Sequence, residues 1–149
     1  MPEAKTIERA REDEREGKAP SSQASEFVHE EMDHIREGKH GARSAKQAIA
    51  IGLSKARRAG VKLPPPRAGT QSTSTRKRAA SDLHAGANPK KPSPARSRAT
   101  EGALKREPHS AASHTALARQ ARASASERGA SARQAAGRKA AATRKRATR

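Results

Sequence analysis

Leu, Ile, Val and Phe together make up only 12 of the 149 residues, about 8%. This scarcity limits the fold more than any motif in the chain. Sequences below about 20% in these residues and with a large net charge generally fail to fold globally. Ordering one residue costs roughly 1–2 kcal/mol of conformational entropy. A buried Leu or Ile returns about 1.5–3 kcal/mol. Twelve such side chains cannot order 149 residues. Eight of the twelve lie between residues 22 and 66. With alanine they can support a helical hairpin of about 40 residues, a size that usually leans on a staple or a partner. The expected fold is therefore a mostly disordered chain around a small all-α module.

Charge divides the chain into three segments. Residues 1–37 carry 6 basic and 11 acidic side chains, residues 38–66 carry 7 basic and none acidic, and residues 67–149 carry 20 basic and 4 acidic. The net charge of +18 is thus an acidic head followed by a basic arm, a pattern suited to meeting a polyanion. We expect a charged N-terminal segment at 1–20, a helical-hairpin domain at 22–66 and a basic, low-complexity, disordered tail at 67–149.

In the N-terminal segment a charged helix can form over about 6–16. Thr6 would cap it, Glu8 with Arg11 and Glu12 with Arg15 would pair on one side, and Gly17 would end it. The first hairpin helix is expected at about 23–37. There Ala24, Phe27, Val28, Met32 and Ile35 recur at three- and four-residue steps, Glu26, Glu30, Asp33 and Glu37 occupy the opposite, solvent side, and Gly38 stops the helix. The second is expected at about 45–59. Ser44-Ala45-Lys46-Gln47 has the form of a capping box. Ala45, Ala48, Ile49, Gly52, Leu53 and Ala56 form the stripe, and Gly60 and the prolines at 64–66 forbid continuation. Gly52 costs about 1 kcal/mol against Ala in a helix, and close approach of the first helix is its usual compensation. From Arg67 onward Ala, Arg, Ser, Thr, Pro and Gly dominate without periodicity. Residues 113–128 and 130–147 are alanine-rich and could become helical on a polyanion.

The basic residues are the functional candidates. Lys39, Arg43, Lys46, Lys55, Arg57 and Arg58 belong to the hairpin. Arg76, Lys77 and Arg78, then Lys90 and Lys91, then Arg144, Lys145 and Arg146, form clusters along the tail. Such groups neutralise phosphates and release counterions, so binding needs no base reading and weakens steeply with salt. The tail has no aromatics for stacking on single strands and no recognisable base-reading module. DNA is the first expected partner and RNA the second.

Other chemistries find little support. Cysteine is absent, which excludes disulfides and thiolates. His29, His34 and His40, beside Glu30 and Glu31, do not show ligand spacing, since His29 and His34 are five apart and share no helix face. No metal or cofactor is assigned. There is no phosphate loop or nucleophile elbow, and carboxylates on an exposed face have no pocket to tune them. The chain reads as a non-enzyme. No apolar run approaches the length of a membrane span and the N-terminus is unlike a secretory signal, so a cytoplasmic, nucleoid-associated location is expected, without membrane insertion.

The segments HIREGKHGARS and KQAIAIGLSKARRAG, with the prolines that follow, carry a resemblance. Residues 22–66 look like the core of a bacterial family of small basic proteins with a domain of unknown function. That likeness implies no mechanism. The tail resembles bacterial histone-H1-like proteins in composition, which implies DNA binding, although Arg outnumbers Lys in it, 14 to 6. Together these features lead us to expect a sequence-nonspecific DNA-binding, DNA-compacting protein. The second reading is a helical interaction module, self-associating or docking a protein through residues 22–66, with a tail that tethers it to RNA, ribosome or another polyanion.

Overall fold

The computed structural model describes residues 1–147. Seven α-helices carry most of them: α1 (Ala4–Arg15), α2 (Pro20–Arg36), α3 (Ala45–Arg58), α4 (Thr73–Ala87), α5 (Pro94–Lys105), α6 (His114–Glu127) and α7 (Gly129–Ala147), with a 3-10 turn at His109–Ala112. The expectation of a mostly disordered chain is thus overturned. Residues 148 and 149, the end of the segment taken as tail, lie outside the described residues.

The chain divides into two compact units, Met1–Ser113 and His114–Arg149. In the first, α2 and α3 pack through the apolar stripes expected of them. Phe27, Ile35, Ala24, Ala48 and Ala56 are almost fully buried. Helix α1 lies against α2 with Ala10 buried, and Ile7, Leu53 and Leu63 pack around the cluster of Ala10, Ala24, Phe27, Ala56 and Val61. Helix α4 lies against α3, burying Ala79.

The large-side-chain count misleads because this core is built from alanine. Nine of the thirteen buried apolar residues among those described are alanines. Each returns little free energy, but it costs no side-chain entropy and lets backbones approach closely. At Gly86 on α4 a Cβ would run into the Arg57 carbonyl oxygen, so α4 rests directly on the end of α3. Alanine is also the best helix former, and Ser72 caps α4 in the segment expected to be disordered. Ser72 Oγ accepts the Thr75 amide at 3.2 Å. The prolines do not interrupt helices: Pro89 and Pro92 lie in the 88–93 connection, Pro94 opens α5, and Pro108 precedes the 3-10 turn. Helix α5 buries no residue and draws on propensity and a Glu101–Lys105 pair at 2.8 Å, one turn apart.

Helix ends follow their signals closely. Gly17, Gly38 and Gly60 have φ of 73°, 75° and 103°, the left-handed conformation that terminates a helix. Ser44 Oγ accepts the Gln47 amide at 3.2 Å. Gln47 Oε1 reaches the Arg43 amide at 2.8 Å, one residue earlier than a capping box requires. Thr6 is buried inside α1, which starts instead after Glu3. Helix α2 starts at Pro20, three residues before the expected 23.

A strap closes the far end of the first unit. The Gly41 amide donates to Leu104 O at 2.9 Å and the Ala42 amide to Pro108 O at 3.0 Å. Arg36 Nε donates to Ala112 O at 3.1 Å, and Ala111 and Ala112 are buried. The second unit consists of α6 and α7, joined at Arg128. Arg133 Nη1 donates to Ala125 O at 3.0 Å, and Arg128 Nε to Ser124 O at 3.2 Å.

Candidate functional site

Periodicity placed Glu30 on the solvent side of α2. The structure instead buries Glu30 and its neighbour Glu31, which is 0% exposed. They face α3, where Lys55 Nζ lies 2.6 Å from Glu31 Oε2 and 3.5 Å from Glu30 Oε1. Beyond this ion pairing, Glu30 Oε1 and both Glu31 oxygens have no hydrogen-bond partner. Two buried carboxylates thus share one ammonium. Burying a carboxylate is expensive unless it is paired and hydrogen-bonded.

Two histidines complete the cluster. His40 Nε2 lies 3.3 Å from Glu31 Oε1, and its Nδ1 lies 3.1 Å from the Gly41 carbonyl. His34 Nε2 lies 2.9 Å from Glu3 Oε1, and its Nδ1 is 4.0 Å from Glu30 Oε1. The rings stand edge to face with centroids 6.2 Å apart. Glu3 links the N-terminus to this site: its amide donates to Glu30 Oε2 at 3.0 Å, and its carboxylate also meets Lys39 Nζ at 3.3 Å. Hydrogen bonds from His34, then Lys39, hold the Glu3 carboxyl below its usual pKa. Lys39 is raised above the usual ammonium range, first by Glu37 and then by Glu3.

The sequence-derived cations separate into distinct groups. Lys55 is engaged by the buried carboxylates. Arg57 is buried, donates to Leu63 O at 3.1 Å and Pro64 O at 3.3 Å, and burial lowers its pKa. Both are engaged within the fold. Lys39 is exposed but paired with Glu37 and Glu3. Arg58 lies 3.8 Å from Asp82, and Arg76 donates to Pro66 O at 3.1 Å. Arg43, Lys46, Lys77, Arg78, Lys90, Lys91, Arg144, Lys145 and Arg146 have exposed side chains.

The structure brings together Glu31, His34 and His40, which the spacing of His29 and His34 had led us to set aside. Glu31 and His34 stand three apart on α2 and so share a face, a relation available from spacing alone. His40 joins them only because Gly38 turns the chain back. Among the described residues Met1 is the only fully exposed large hydrophobic, so the stripes of α2 and α3 are covered within the chain. No helix among the described residues is long and apolar enough to cross a membrane.

No curated protein and no solved structure matches this chain. Residues 17–67, about a third of the chain, match the model of a Family of unknown function (DUF6496), so the similarity covers α2, α3 and the Gly-turn between them but stops short of α1, α4 and the strap.

Proposed function

We propose that the protein binds nucleic acid without reading sequence, duplex DNA first and RNA second, as a nucleoid-associated, DNA-compacting factor of the bacterial cytoplasm. One observation carries this reading: the acids of the first 37 residues are largely occupied by cations of the N-terminal unit, whereas the cations of α4–α7 and the 88–93 connection stand mostly exposed. Residues 67–149 contain five basic side chains for each acidic one. Within each helix the cations are held at fixed spacing. From Arg133 to Lys145, α7 spans about 18 Å at 1.5 Å per residue, a length over which duplex DNA presents about ten phosphates. The likeness of this region to histone-H1-like proteins in composition agrees with that reading.

The test is a salt titration of the full chain on duplex DNA of random sequence, beside a variant with Lys77, Arg78, Lys90, Lys91, Arg138 and Lys139 changed to Gln. Log affinity should fall linearly with log salt, and the variant's slope should be shallower by about 0.9 for each phosphate contact removed. Affinity indifferent to salt, or unchanged in the variant, would sink the reading. A parallel titration on duplex RNA ranks the two partners.

A further inference from the structure

We propose that Glu31, His34 and His40 form a binding site for a first-row divalent cation of the Zn2+ class. Each offers one ligand atom, and these atoms all lie within 4.8 Å of one another. With metal–ligand distances of about 2.1 Å, tetrahedral coordination sets ligand atoms about 3.4 Å apart. The separation of His40 Nε2 from Glu31 Oε1, 3.3 Å, already meets that value.

The hydrogen bonds around the site argue for a cation between these groups. The Gly41 carbonyl can only accept, so His40 Nδ1 carries the proton of that 3.1 Å bond. Its Nε2 lone pair is then left facing Glu31 Oε1. The Glu3 carboxylate likewise accepts from His34 Nε2 at 2.9 Å, leaving Nδ1 toward Glu30. Nitrogen lone pairs held this close to buried carboxylate oxygens are unfavourable unless a positive charge stands between them. Lys55 supplies one ammonium, on the Oε2 side of Glu31. Glu31 is fully buried and its Oε1 has no hydrogen-bond donor.

The outer contacts have the form found around metal-bound histidines, in which the second ring nitrogen donates to a carboxylate or a backbone carbonyl and thereby fixes the ring. Two imidazoles and one carboxylate suit Zn2+ and its neighbours. Ca2+ and Mg2+ prefer an all-oxygen shell. A bound ion would tie residues 37–44 to α2, so binding should also stabilise this unit.

The experiment is calorimetric titration of chelator-treated full-length protein with Zn2+ alone, with thermal unfolding followed in parallel. One equivalent should bind and raise the melting temperature. His40→Ala should abolish the stoichiometric phase. Glu3→Ala, which removes only the outer carboxylate at an exposed position, should weaken binding about 10–100-fold. His29→Ala, outside the cluster, should change neither. Absence of a one-to-one phase in the folded wild-type protein, or a phase that survives in folded His40→Ala, overturns the proposal and leaves protons on the histidines as the compensating charge.

Discussion

The Cα of Val28 on α2 lies 2.8 Å from the position that a Cβ on Gly52 of α3 would take, and the Phe27 carbonyl oxygen lies 3.1 Å from it. Both atoms are backbone and cannot rotate away, so any larger residue at 52 must push the helices apart. Gly52→Ala should destabilise the protein by about 2 kcal/mol, overpacking of about 1–3 kcal/mol exceeding the helix-propensity gain. Gly102→Ala on α5, where no atom lies within 4 Å, should instead stabilise by about 0.4–1 kcal/mol. Urea unfolding of the two variants should give midpoints on opposite sides of wild type.

Lys55 is the ammonium that Glu30 and Glu31 share. Lys55→Met should cost about 3–5 kcal/mol, the usual effect of removing one partner from a buried ion pair. Lys46→Met, on the exposed side of the same helix, should stay within about 0.5 kcal/mol. Adding Glu31→Gln to Lys55→Met should recover part of the loss, and a double-mutant cycle in urea measures how much.

Acid should loosen the N-terminal latch. The Glu3 carboxyl is held below its ordinary value of 4.5 by His34 and Lys39. A lowered folded-state pKa contributes stability that is fully present above that ordinary value and is lost as pH falls through the folded one. Wild type should therefore melt above Glu3→Gln near neutral pH, and the two curves should converge in acid below pH 4.5. Melting temperatures at a series of pH values check this, and a gap that persists in acid contradicts it.

The strap should detach before the helix pair does. At Gly41 a Cβ would overlap the Glu107 carbonyl oxygen, so Gly41→Ala forces residues 104–108 away. The two amide bonds there contribute about 0.5–1.5 kcal/mol each. Hydrogen exchange at the Ala42 amide should accelerate about tenfold, while amides in the middle of α3 keep their protection. Equal acceleration throughout α3 would mean that strap and helices open together.

The helix pair was legible because its signals are local. The three- and four-residue stripes, the glycine stops, Ser44 and the close approach at Gly52 all lie within the elements they define. The site was less legible. Periodicity treats an acid as a surface residue, and the ammonium that compensates Glu31 is 24 positions away at Lys55. The strap left no pattern, since it holds by backbone carbonyls of Leu104 and Pro108 and by two alanines. After Arg67 the sequence suggested helices only over 113–128 and 130–147, and only on a polyanion, because counting large side chains undervalues alanine, which makes a helix without a core to reward it.

Arg36 and Ala112 are joined by a hydrogen bond across 76 positions of sequence. During synthesis the donor leaves the ribosome long before its acceptor exists. At about 5–20 residues per second, the nascent chain spends about 4–15 s with the buried carboxylates formed on α2 and nothing to close that end. In that interval α1–α3 must persist on their own contacts, and the order of emergence brings His40 and then Lys55 to Glu31 before any strap residue exists.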